Sequence, residues 1–207
     1  MIRKINYSLL LVASVILGAC SSGEEKTADA ASSCTYSYDE ESSVLEWTAF
    51  KFSEKAPVKG TFNQMKIDAL SGAETPKEMI ESMSFTIETG TVETQNEERN
   101  GKIAKYYFET TNTPKITGKV KSLSDNGKAT VEITMNGKPI DVLGTYTLEG
   151  ETFSFAATID VAKWDALEGI NALNEICKDL HTGADGKSKL WSEVDLSFST
   201  TLKKECK

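Results

Sequence analysis

Residues 129–160 read ATVEITMNGKPIDVLGTYTLEGETFSFAATID, and apolar and polar side chains alternate almost throughout. Ala129, Val131, Ile133 and Met135 share one face, with Thr130, Glu132 and Thr134 on the other. Ile140, Val142, Tyr146 and Leu148 follow, then Phe153, Phe155, Ala157 and Ile159. A period of two is what a strand needs when one face lies in a core and the other in water. The breaks fall at Asn136-Gly137 and Glu149-Gly150. Asn-Gly suits a type I′ hairpin, whose two central positions both require positive φ. Three antiparallel strands are written here.

Outward from this stretch the same pattern recurs. Leu45, Trp47 and Ala49 alternate, as do Met83, Phe85 and Ile87, then Ile116, Gly118 and Val120, and finally Val194, Leu196 and Phe198. Gly60 stands in the middle of Val58-Lys59-Gly60-Thr61-Phe62, a placement that marks a bulge or a barrel corner. The pattern predicts eight long strands, at 44–52, 57–69, 80–90, 115–123, 127–136, 139–148, 152–163 and 190–203. Two stretches break the period. Residues 94–108 have helical composition up to the stop at Thr113-Pro114. Within 166–181, Leu167, Ile170, Leu173, Ile176, Cys177 and Leu180 recur at helical spacing, ended by Thr182-Gly183.

Short connections make neighbouring strands antiparallel. An even count lets the eighth strand close onto the first, which removes exposed edges, and eight strands enclose room for one small ligand. The expected fold is therefore mainly β: an eight-stranded antiparallel up-and-down barrel with two helical insertions. An open sandwich is the alternative, since alternation does not by itself prove closure. Following strand directions around the barrel puts both helical insertions at one end and the chain termini at the other.

The N-terminus carries Arg3 and Lys4, an apolar run over residues 9–17, and then Leu17-Gly18-Ala19-Cys20. A basic segment, a short apolar segment and small residues at the cut describe an export signal. The run is shorter than the ~20 residues of a membrane-spanning helix. Its Leu-Gly-Ala-Cys ending resembles a bacterial lipobox, in which Cys20 is acylated and becomes the first mature residue. Several acyl chains anchor a protein firmly to a membrane. Residues 1–19 are thus read as a lipoprotein signal, 20–33 as a polar tether and 34–207 as one β domain. Ser21 after the lipidated cysteine, in place of an aspartate, points to the outer membrane of the bacterial envelope, on its periplasmic or surface face.

The formal charge is −8, and loss of Arg3 and Lys4 with the signal makes it −10. That excludes nucleic acid and an anionic membrane surface as docking partners. Exported proteins live where disulfides persist. Beyond Cys20 the cysteines are Cys34, Cys177 and Cys206. Cys34 precedes the first long strand and Cys206 follows the last, so the strand directions bring both to one end, with Cys177 in a helix at the other. A Cys34–Cys206 bridge is expected, the alternative being three reduced thiols.

The segment from Thr35 onward resembles the YceI-like family, a lipid- or polyisoprenoid-binding domain. The similar pieces are Tyr38-Asp39, Ser43-Val44-Leu45-Glu46-Trp47, Val58-Lys59-Gly60-Thr61-Phe62 and Gly90-Thr91-Val92-Glu93-Thr94. Tyr107-Phe108, Thr113-Pro114-Lys115-Ile116-Thr117, the turn region Ile133-Thr134-Met135-Asn136-Gly137-Lys138-Pro139-Ile140, and Glu193-Val194-Asp195-Leu196 extend the likeness. Each piece is short; their specificity is joint. The resemblance implies a lipocalin-like barrel with an apolar tunnel. Many members carry histidines near the first two strands, whereas the single histidine here is His181.

An apolar ligand needs a concave apolar lining with few polar anchors. The inward-facing set is Trp47, Phe62, Met83, Phe85, Ile133, Met135, Phe153, Phe155, Leu196 and Phe198, to which Tyr106, Tyr107 and Phe108 can add from the helical end. Without the resemblance, the same side chains read as a solid core. No Ser-His-Asp set, phosphate loop or HExxH motif is present, so no enzyme, cofactor or catalytic residue is expected. Cys177 and His181 stand four apart on a helical face, but two ligands do not close a zinc site, and no metal is expected. The expected function is a membrane-anchored carrier of a long apolar lipid such as a polyisoprenoid. The alternative is a non-catalytic envelope interaction protein with a filled core.

Overall fold

The computed structural model describes residues 33–207. The signal segment, Cys20 and the tether as far as residue 32 lie outside the described residues. The strands, in chain order, are β1 (Cys34–Ser37), β2 (Val44–Lys51), β3 (Ala56–Phe62), β4 (Met65–Asp68), β5 (Ser84–Glu88) and β6 (Val92–Glu93). There follow β7 (Lys115–Ser124), β8 (Lys128–Met135), β9 (Lys138–Glu149), β10 (Thr152–Asp160), β11 (Leu190–Thr201) and β12 (Lys203–Cys206). Ten of them form one antiparallel sheet in the order β4-β5-β7-β8-β9-β10-β11-β2-β3-β6, and β1 pairs separately with β12. The sheet curls into a half-barrel, with the alternating apolar side chains on its concave face.

The hairpin between β8 and β9 closes through Asn136 and Gly137 at φ 48° and 68°, both in the left-handed region that a type I′ turn demands. The next hairpin turns through Gly150 at φ 60° before Glu149 and Thr152 pair. Along β8, Ala129, Val131, Ile133 and Met135 are buried while the threonines and Glu132 between them keep contact with solvent. On the convex face, cross-strand pairs such as Lys59–Glu46 at 2.6 Å and Lys121–Asp141 at 2.9 Å sit in water.

Three strand glycines make room for aromatic rings on the concave face. Gly60 pairs across from Trp47 and Gly118 from Phe85. A β-carbon at Gly60 would come within 2.2 Å of the Trp47 indole, at Gly118 within 2.4 Å of the Phe85 ring, and at Gly144 within 2.3 Å of the Phe155 ring. The rings lie flat over the bare backbone and widen the interior, the close-approach role that glycine has inside strands.

The expected eight strands are corrected to ten in the main sheet by the division of the segment over 57–69 and by the two-residue β6, which pairs with β3; three departures from the expected strand bounds have physical reasons. First, the segment expected as a strand over 57–69 bends at Asn63-Gln64 into β3 and β4. The ladder continues around the corner, where Asn63 N donates to Thr91 O and Glu88 N to Gln64 O. The end strand β4 and the next-to-last strand β3 are therefore two halves of one bent segment, with the short β6 lying outside β3. Second, the strand expected over 80–90 begins only at Ser84. Ahead of it lies helix α1 (Pro76–Glu81), with Thr75 accepting from Glu78 N as its cap and Pro76 at its first position. Met79 and Ile80 are fully buried and Met83 nearly so, a helical rather than a two-residue spacing. Third, the strand expected over 190–203 divides at Leu202, and its tail β12 turns away to pair with β1. The strand expected to reach residue 163 stops at Asp160, whose side chain accepts from Ala162 N and starts a 3-10 turn over Val161–Trp164.

The helical insertion expected at 94–108 is α2 (Glu97–Ile103), capped by Asn96, running on into a π-helical turn over Ala104–Glu109. The one expected at 166–181 is α3 (Leu167–Ile176) followed by α4 (Lys178–His181). These two insertions pack together: a β-carbon on Gly169 of α3 would lie 2.8 Å from Tyr107 O. The unexpected α1 sits at the other end, where the Tyr36–Ala73 bridge ties its approach to β1. A disulfide joins Cys34 and Cys206 there, opposite partners in the β1–β12 register. Cys177 is free and buried.

Candidate functional site

The concave face of the sheet does not pack shut. A cavity of about 130 Å³ runs through it, and Ser197 is the one polar residue in its lining. All ten side chains of the expected inward set border it: Trp47, Phe62, Met83, Phe85, Ile133, Met135, Phe153, Phe155, Leu196 and Phe198. Their placement follows from strand period and register. Phe155 pairs across from Phe198, and Leu196 from both Ala157 and Trp47. Aromatic contacts hold the walls, with Trp47 and Phe62 centroids 6.5 Å apart and Phe153 and Phe198 6.4 Å apart.

A second apolar space of about 140 Å³ adjoins the first on the side of the helices. The two share Trp47, Phe62, Ile116, Met135, Ile159 and Leu196 as common walls. Tyr107 and Phe108 border the second space, brought there by the π-helical turn, and Phe108 stacks at a tilt on Phe62 with 6.0 Å between centroids. Tyr106 is placed differently: it is not in either lining and instead lies 5.4 Å from the Lys105 ammonium on the helix surface. Burial pushes the Tyr107 phenol well above its ordinary range, so the group stays an uncharged hydrogen-bond donor at any physiological pH.

Leu45, Met65, Ile67, Ile87, Val120, Leu123, Ala129, Val131 and Ile159 also border the first cavity, though the sequence reading did not single them out as site residues. Most occupy the same alternating positions as the larger side chains beside them, so the signal was present in the period. Met65 and Ile67 belong to β4, which the corner at Asn63-Gln64 re-aims, and no period marks that.

A third space, about 300 Å³ and partly polar, opens where the helices meet the strand ends. It shares Trp47, Ala49, Phe50, Ile103, Leu173 and Leu190 with the second space. Cys177 and His181 both face it. His181 Nδ1 lies 3.1 Å from Asn174 Oδ1. Burial first, and then the Lys51 and Lys102 ammonium groups, push His181 down to about 4. The Cys177 thiol is pushed up, chiefly by burial, which suits an unreactive packed sulfur. Among the described residues no group of three or more metal-ligating side chains comes together.

A family model for the YceI-like domain matches residues 36–202. Among solved structures, the chain is similar to BcnA of Burkholderia cenocepacia, with 18% identity, a TM-score of 0.52, and coverage of 81% of this chain and 99% of that one. It is also similar to a polyisoprenoid binding domain from Saccharophagus degradans implicated in plant cell wall breakdown, at 16% identity and TM-score 0.56, covering 83% and 98% of the two chains. At these identities the likeness is one of fold. No curated protein matches the sequence.

Proposed function

This chain belongs to the YceI-like domain family, and from that premise we propose that it is a non-catalytic carrier holding one long apolar lipid, such as a polyisoprenoid, along its concave face. The observation that carries the reading is the pair of adjoining apolar spaces, bordered by side chains with almost no polar group among them. An engineered apolar cavity of roughly 150 Å³ stays dry and accepts benzene, so each of these spaces is large enough to hold apolar atoms rather than water. Their small volumes, spread along strands of eight to twelve residues, suit a thin flexible chain better than a compact ring system. Methionine and phenylalanine walls conform to irregular alkyl chains. The rival reading, an interaction protein with a filled core, has to account for an interior that is open.

Membrane attachment is part of the proposal. It rests on the Leu-Gly-Ala-Cys sequence ending at Cys20, and with Ser21 in place of an aspartate the proposed site is the outer membrane of the bacterial envelope, on its periplasmic or surface face. A domain anchored beside a bilayer can exchange an apolar chain with it without the chain crossing water. The test is organic extraction of the purified domain followed by mass spectrometry. A co-purified prenyl or acyl chain is the expected result. Protein that yields no lipid, and takes up none from added vesicles, would sink the carrier reading.

A further inference from the structure

The chain is acidic, with a formal charge of −8, yet the space at the helical end gathers cations. Lys51 at the end of β2, and Arg99 and Lys102 on α2, all border it, with Glu98 as the one carboxylate in the lining. Glu98 is taken up by Lys102 at 2.6 Å. Among the described residues neither Lys51 nor Arg99 has a carboxylate partner: Lys51 Nζ reaches only the Leu180 carbonyl, at 3.3 Å, and rests 4.5 Å from the Phe52 ring centroid. The Arg99 Nε is buried and has no hydrogen-bond partner among the described residues. A buried guanidinium donor without an acceptor is costly, and a ligand oxygen would satisfy it.

The position of this cluster matters as much as its charge. The partly polar space adjoins the apolar one, with Trp47, Ala49, Ile103 and Leu173 as walls of both. A ligand filling the apolar spaces would end here. We propose that this mouth is a head-group site, in which Lys51, Arg99 and Lys102 hold the phosphate of an anionic, phosphate-ended lipid whose chain lies in the apolar interior. Arginine and lysine together are the usual partners of phosphate oxygens, arginine through its fork and lysine as a point charge. An excess of two positive charges over Glu98 matches a phosphate better than a neutral alcohol. The proposal rests on the interior being the lipid cavity.

Farnesyl phosphate and farnesol share a chain and differ only at the head, so their binding to the soluble domain, followed by titration calorimetry, separates the two questions. The expected result is farnesyl phosphate binding about ten-fold or more tighter than farnesol, the scale of one hydrogen bond to a charged group. In the double variant Arg99→Gln, Lys102→Gln that preference disappears while farnesol affinity is unchanged, which also reports that the variant is folded. A second readout is the single histidine. Its NMR titration shifts to higher pH when farnesyl phosphate is bound and not when farnesol is, because an anion offsets the Lys51 and Lys102 charges that act on it. Equal affinity for the two compounds, or a preference that survives in the double variant, overturns the head-group site and leaves the carrier reading standing. Failure of both compounds to bind overturns the two together.

Discussion

Single side chains decide whether the interior is open or closed. Phe155 and Phe85 sit over Gly144 and Gly118 and border the cavity. Either one replaced by aspartate loses a core ring, buried at Phe155 and partly buried at Phe85, worth up to roughly 3–5 kcal/mol on truncation alone, and places a carboxyl group in an apolar lining. Phe155→Asp and Phe85→Asp are expected to lower the urea midpoint and to empty the cavity of co-purified lipid. Wild-type unfolding and lipid content in both variants would show that the cavity is not what holds the ligand. His181 makes a different prediction. Its folded value of about 4 lies below the ~6.5 of an unfolded chain. As pH falls below ~6.5 the unfolded state takes up the proton first, so the folded state loses stability down to about pH 4 and is unaffected above ~6.5. His181→Asn should flatten the stability curve in that window relative to wild type. Parallel curves for the two proteins, measured by urea unfolding across pH, would remove His181 from the account. At this scale the aromatic lining was legible in the sequence, because period two marks a shared face. The cationic mouth was not, because Lys51, Arg99, Lys102 and His181 come from three elements that only tertiary packing assembles.

Among the elements, those with an unbroken alternation were the legible ones: β7 to β10 lie within a few residues of where the pattern puts them. Misreadings occurred where two periods overlap. Met83, Phe85 and Ile87 look like a strand that extends back to residue 80, but Thr75-Pro76 is a helix start, and Met79 and Ile80 are buried from the helix with Met83 buried just after it. Similarly, nothing in Phe62-Asn63-Gln64-Met65 announces a corner; it is fixed by the hydrogen bonds to Thr91 and Glu88. The small β1–β12 pair supplies the prediction at this scale. Those two strands have four residues each and are crosslinked at their ends by Cys34–Cys206. The bridge spans 172 residues of sequence, and closing so long a loop is worth roughly 2–4 kcal/mol through the unfolded chain. Because β1 and β12 are outside the ten-stranded sheet, Cys34→Ser with Cys206→Ser should lower the melting temperature, fray this pair first in hydrogen exchange, and leave lipid content intact. Loss of lipid from the variant would mean that the pair braces the cavity itself. A Cys177-containing disulfide in non-reducing peptide maps would contradict the pairing.

The proposed function divides two apolar tasks between parts of the molecule. One is performed by the concave face, which shields a thin apolar space from water between a disulfide-tied end and a helical end. The other is proposed for Cys20, which the polar residues 21–33 separate from the domain in sequence. That separation makes the two tasks independently removable. Among the described residues no helix is long and apolar enough to cross a membrane, and the convex face carries lysine–carboxylate pairs in water rather than a broad apolar patch. If acylation at Cys20 is the attachment, Cys20→Ser should move the protein from the membrane pellet to the soluble fraction. Two or three acyl chains give stable anchoring, which the variant lacks. The released domain should keep its melting temperature, and its affinity for an added prenyl chain should be unchanged, because the cavity lies wholly within residues 45–198. Its lipid content in the cell should fall all the same, since a carrier away from the bilayer must collect its cargo through water. Fractionation, melting and lipid extraction of wild type and variant side by side test all three statements. A variant that stays in the pellet would show that something other than Cys20 holds the protein to the membrane, and a soluble variant that is fully loaded would show that the cargo is not acquired from the bilayer next to the anchor.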